Sequence, residues 1–200
     1  MSEKIKYLEG IIEQIKAGKD IEEVKKEFYT KYPEELKANS ISDHNIYKDY
    51  IEDHNPLVLL AMENSALRAL LHSLRQDVNY FDELGKKMIP ELLERLNTIS
   101  IHYKKIEELI VPELVKYDYK ETEAIIKEDK RILEVISSYR NKNILEEDRT
   151  PLLNLLEDIE QMIVKENHIL LPILDERLNE EQLLELYFKE CEIGFCLIKR

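Results

Sequence analysis

Apolar residues recur at helical spacing along almost the whole chain. Leu59, Leu60, Ala66, Leu67, Leu70, Leu71, Leu74 and Val78 keep one face of a long segment apolar. Leu, Ile, Glu and Lys dominate elsewhere, as helices prefer. Only 4 Gly and 6 Pro occur in 200 residues, too few for the many tight turns of a sandwich or propeller. The pattern predicts a first helix over 3–17, stopped by Gly18. A second starts at Asp20, with Glu23 completing a capping box, and ends near Pro33. Residues 34–53 read as short helices and loops. Asn55 caps the next helix, and Pro56 stands at its first position, where a missing N–H is harmless. That helix is expected to reach Gly85. Further helices are expected over Lys87–Ile110, with Pro90 in its first turn, then Thr122–Tyr139, Thr150–Leu170 and Asn179–Gly194. The expected fold is all-α: an up-down-up-down four-helix bundle in 51–200, ending in a further helix, with a helical extension over 1–50.

The net charge of -13 argues against nucleic acid, which needs Lys and Arg clustered on one face. No apolar run is expected to reach the roughly 20 residues that span a bilayer. MSEKIKYLEG carries no signal-peptide core, and a cytoplasmic address is expected. Cys191 and Cys196 are too few for a disulfide framework. Their spacing fits neither a CxxC redox motif nor a zinc knuckle.

The chain holds no Gly-rich phosphate loop, no GxSxG and no HExxH, and nothing pairs a nucleophile with a base. An enzyme acting on an organic substrate is not expected. What remains is a few histidines and many carboxylates, and helical bundles bind metals with His and Glu pointing inward. Two stretches are alike: HYKKIEELIVPEL (102–114) and MIVKENHILLPIL (162–174). They stand 60 residues apart, each with a Glu, an apolar run and a Pro in register.

These stretches resemble the hemerythrin-like (HHE cation-binding) domains, which carry H-x-x-x-E-E-x-x-L-F-P twice on alternate helices of a four-helix bundle. HNPLVLLAMENSALRALL (54–71), EIGFCLI (192–198) and LEGIIEQIKAGKDIEEVKKEF (8–28) extend the resemblance to a subgroup often followed by a PAS sensor domain. The resemblance covers most of the chain, and it implies iron held by a His and the Glu four residues later. The match is partial. His102 keeps the first histidine, but Ile106 stands where its Glu is expected, and Glu107 is one residue late. On a regular helix Glu107 lies about 140° from His102 and would rejoin it only through a π-type distortion. In the second stretch Met162 replaces the histidine, while Glu166 keeps the Glu. Where the first and third bundle helices are expected to bring histidines, Glu63-Asn64 and Glu128-Asp129 stand.

The implied metal set is therefore His54, Glu63, His102, Glu107, Glu128 and Glu166. It is poor in histidine, so oxygen transport is not expected. Such a set suits iron, with zinc and manganese as alternatives. The implied function is sensing or handling oxygen, nitric oxide or redox state, with the ion and a diatomic gas as partners. The alternative is a metal-free helical interaction or signalling module with a vestigial site, which the apolar Ile106 and Met162 favour. A homodimer or a protein partner held through the N-terminal helices is open in both cases. Taken alone, His102 also reads as a hydrogen-bonded core histidine, His54 as a residue at a helix start, and the glutamates as solvated faces. His44, His72 and His168 read as surface positions, Tyr103 as a packed aromatic, and Lys104-Lys105 and Lys25-Lys26 as solvated faces.

Overall fold

The computed structural model describes residues 55–198 without a break, together with Lys19, Glu23, Lys26, Glu27, Thr30 and Lys31. The helix expected over 3–17, the loops over 34–53 and His54 lie outside the described residues. Glu23, Lys26, Glu27, Thr30 and Lys31 are helical, inside the helix expected after Asp20. Every regular element among the described residues is helical. By contact the chain divides into two compact units, one of Met1–Val58 with Leu178–Gly194, the other of Leu59–Arg177 with Phe195–Arg200.

Helix α1 (Pro56–Tyr80) starts as its sequence predicts, with the Asn55 side chain accepting the Leu57 N–H at 2.9 Å. It stops earlier than Gly85. Phe81 turns left-handed (φ 45°), and Asp82 caps α2 (Glu83–Leu96) by accepting the Gly85 N–H at 2.8 Å. Gly85 is needed there: a Cβ would come within 2.9 Å of the Asp77 carbonyl oxygen of α1. The helix expected over Lys87–Ile110 is in fact broken after Leu96. Helix α3 (Ile99–Lys105) follows, then a π-helical turn (Ile106–Ile110) and α4 (Val111–Lys116).

Helix α5 (Thr122–Ser138) matches its expectation. A 3-10 turn (Glu146–Asp148) leads to α6 (Arg149–Lys165), a second π-helical turn (Glu166–Leu170) and α7 (Leu171–Asp175). Within this unit α5 packs against α3, α4 and α6, and α7 packs against α4. Leu67, Leu71, Leu74, Ile89, Ile106, Ile125, Ile132, Leu156 and Ile159 are among its fully buried side chains. Each contributes about 1.5–3 kcal/mol relative to exposure. Surface pairs tie the helices together, with Arg68–Glu160 at 3.1 Å and Arg131–Asp158 at 2.5 Å.

In the other unit α8 (Glu180–Ile193) begins with the expected capping box. Asn179 accepts the Gln182 N–H at 3.0 Å, and the Gln182 side chain accepts the Asn179 N–H at 3.1 Å. It ends at Gly194, whose φ of 101° suits a residue without Cβ.

The expectation that no segment approaches a bilayer span needs correcting. The 25 residues of α1 are long and apolar enough to cross a membrane by length and composition. Half of that window is buried inside the protein, and its buried face carries Glu63 and Asn64, as a core helix can.

Candidate functional site

The two π turns stand at matching places in the two similar stretches. Each begins four residues after its first position, at Ile106 after His102 and at Glu166 after Met162. Each closes with an i−5 bond, Val111 N–H to Ile106 O and Leu171 N–H to Glu166 O. Pro112 and Pro172 come next. Proline has no N–H for the preceding turn, and its ring pushes away the carbonyl four residues back. Widening the turn accommodates both effects and rotates the following helix by about 100°.

Above these turns polar side chains meet in the core. Glu63 and His102 are 0% exposed, Glu166 1% and Asp129 3%. His102 lies between two carboxylates, with Nδ1 2.8 Å from Glu63 Oε2 and Nε2 2.9 Å from Glu166 Oε2. Both contacts are donations only in the imidazolium. Burial works against that charge, but Glu166 and Glu63 prevail and raise His102 to about 9.

The other oxygen of Glu63, Oε1, accepts Lys105 Nζ at 2.6 Å and the Cys196 N–H at 2.6 Å. Lys105 Nζ also lies 5.0 Å from the centre of the Phe195 ring. Burial works to raise the Glu63 pKa, but the hydrogen bond and charge of His102, joined by Lys105, hold it below the ordinary range. The Cys196 thiol, 3.6 Å from Thr98 Oγ1, is pushed up to about 11 by burial.

Several buried oxygens beside this network make no hydrogen bond to protein: Glu166 Oε1, both oxygens of Asp129, the Tyr103 hydroxyl and Asn64 Oδ1. The Asn64 amide does donate, to Asn167 Oδ1 at 2.9 Å. Burial, then the charge of Glu166, pushes the Asp129 carboxyl up to about 8. Burial, then Glu166 and Asp129, raises the Tyr103 phenol well above its ordinary value. Such a concentration of unmet buried acceptors is unusual in a native core.

Of the six residues expected to hold a metal, the structure brings together three: Glu63, His102 and Glu166. His54 lies outside the described residues. Glu107 faces out despite the π turn and pairs with Lys130 at 3.1 Å, since Ile106 takes the inward place one residue earlier. Glu128 is half-exposed and pairs with Arg131 at 2.6 Å, which holds its carboxyl below the ordinary range. Its neighbour Asp129 points inward instead. That was legible in the sequence, because Ile125, Asp129, Ile132 and Ile136 form one helical stripe and Glu128 falls outside it. Lys105, read from sequence as part of a solvated pair, is 0% exposed. It shares a face with His102 three residues earlier, but no local signal says that a lysine there meets a buried carboxylate. His72 and His168 are on the surface, as expected.

Among the described residues, no three His, Cys, Asp or Glu side chains are grouped as metal ligands. His102 spends both ring nitrogens on carboxylates. Protons on His102 and Asp129 and the ammonium of Lys105 balance Glu63 and Glu166, so the cluster is neutral near pH 7. Comparison with protein-family models finds no match, and comparison with curated proteins finds none either.

Proposed function

We propose that this chain is a hemerythrin-like protein, an up-down-up-down four-helix bundle whose core takes one divalent cation on His102 Nε2, Asp129 and Glu166. The observation that carries this reading is the set of three carboxylate oxygens, both of Asp129 and Oε1 of Glu166, buried beside His102 without a protein partner. The donor chemistry fits. Asp129 offers two free oxygens and Glu166 one. Glu63 on Nδ1 would orient the imidazole and leave Nε2 as the ligand atom, as carboxylates behind metal-bound histidines do. Charge also fits, since a divalent ion exchanging for the protons of His102 and Asp129 leaves the cluster neutral.

Iron is the ion that the family resemblance implies; zinc and manganese suit the same donors. When bound, the ion would supply coordination positions open to water or a diatomic gas, which is what sensing oxygen, nitric oxide or redox state requires. The protein would supply the rest: donors from three side chains, a dry surrounding and an imidazole held by Glu63.

The test is elemental analysis of protein purified anaerobically without a metal-affinity tag, alongside His102→Ala and Asp129→Asn. About one ion per chain is expected in the parent and less in both variants. Absence of any ion after anaerobic reconstitution with Fe²⁺, Mn²⁺ and Zn²⁺ would sink the reading.

One observation favours a second reading, a metal-free interaction or signalling module. The cluster already neutralises itself through Lys105, and Ile106 and Met162 are packed as core residues. On this reading His102→Leu with Lys105→Met, Glu63→Gln and Glu166→Gln leaves stability equal or higher, because the whole buried ionic network, the Lys105 ammonium included, is replaced by uncharged groups. A loss of several kcal/mol in that quadruple variant would count against it.

A further inference from the structure

We infer that Phe195–Ile198 is a strap that closes the buried cluster, and that its opening as a unit, with the helices intact, is how solvent reaches Glu63 and Lys105. The inference stands on the contacts of the cluster and holds whether or not the core takes an ion. Glu63 stands on α1, His102 and Lys105 on α3, Asp129 on α5 and Glu166 at the second π turn. Exposing the cluster from those sides means unwinding a hydrogen-bonded turn. The strap is not helical, yet it touches the same groups. The Cys196 N–H donates to Glu63 Oε1 at 2.6 Å, and the centre of the Phe195 ring lies 5.0 Å from Lys105 Nζ. Cys196 is fully buried, with its thiol 3.6 Å from Thr98 Oγ1. The backbone beside these anchors is strained. Leu197 is left-handed (φ 59°), and the Ile198 N–H closes on the Cys196 carbonyl at 2.8 Å, a three-residue turn of the unfavourable hand. A leucine keeps that conformation only where surrounding contacts hold it, and strain of this kind gathers at segments that clamp or switch. Phe195, Leu197 and Ile198 are only half-buried, so little apolar burial resists opening. Gly194, just before them, has a φ of 101° and no Cβ to hinder a swing of the backbone.

The full chain in chelator-treated buffer carries the test. The Cys196 thiol is alkylated with iodoacetamide and Lys105 acetylated with acetic anhydride, at trace levels of modification. Both are read site by site by mass spectrometry, across urea concentrations below the unfolding midpoint. Opening of four residues exposes little surface, so both labelling rates are expected to stay nearly flat with urea. They are also expected to exceed the rate that global unfolding allows. The Cys196 and Ile198 N–H groups are expected to exchange with equal protection, as parts of one opening unit. Phe195→Ala takes the ring from the Lys105 ammonium. It is expected to speed both labels by the same factor, about tenfold, and to keep the flat response to urea. Labelling rates that climb with urea along the full slope of global unfolding overturn the inference. So does a Phe195→Ala chain in which Cys196 labelling quickens and Lys105 labelling does not, for then the strap opens without baring the cluster. Unchanged rates at both sites in that variant overturn it as well. If Phe195→Ala does not fold, the urea series on the parent decides.

Discussion

His102 shows how one side chain can govern the pH response of a core. Its pKa is raised from an ordinary 6.5 to about 9 by Glu166 and Glu63, against the opposing pull of burial. Because the folded pKa is the higher one, its contribution is complete below about pH 6.5 and is lost as pH rises through about 9. For the metal-free protein this is on the order of 3 kcal/mol. Asp129 acts in the same direction. Burial and Glu166 raise it from 3.8 to about 8, so the folded state keeps a proton that the unfolded chain releases, and its contribution fades as pH climbs through about 8. Urea midpoints of the metal-free protein are expected to fall between pH 6.5 and 9. A midpoint that is flat or rising over this range would refute the assignment. Asp129→Asn is expected to flatten part of that fall and to stabilise the metal-free protein near pH 9. If the variant is instead less stable than the parent at that pH, Asp129 is making a contact that its unpartnered oxygens do not suggest.

Elements were legible where the cause is local. The starts of α1 and α8 follow from Asn55-Pro56 and from Asn179 with Gln182, because a cap is a contact between near neighbours in the chain. The apolar phase of α1 continues past Tyr80, but the left-handed Phe81 ends the helix and the Asp82 cap starts the next one. Gly85 marks how closely the two helix ends approach. Gly85→Ala would push a methyl group to within 2.9 Å of the Asp77 carbonyl. The expected loss is about 1–3 kcal/mol, measured by urea unfolding, with no change in helical content at the start of the transition. A neutral result would show that α1 and α2 can move apart freely at their turn. From the sequence a π turn is expected only in the first stretch, as the one way to return Glu107 to the site. One forms in each stretch, but Ile106 and Glu166 take the inward places and leave Glu107 in water beside Lys130.

At the scale of the whole molecule, α1 passes a length-and-composition test for a membrane helix, yet its stripe is a protein interior. Leu67, Leu71 and Leu74 are each 0% exposed. Leu71→Ala is expected to cost about 2–5 kcal/mol in a cooperative urea transition measured without detergent. A change under about 1 kcal/mol would mean that this face does not pack against the protein. Helical class could be read from the chain alone because a 3.6-residue period needs only neighbours to express it. The stripe rule, applied strictly, also separates Asp129 from Glu128. What the chain alone did not determine is how charge is arranged in the core. Glu63, His102, Lys105 and Glu166 come from three separated segments, and whether a lysine faces water or a buried carboxylate depends on which helices meet. Burial strengthens and shifts these groups only once water is excluded, and that exclusion is a property of the packed helices, not of any segment.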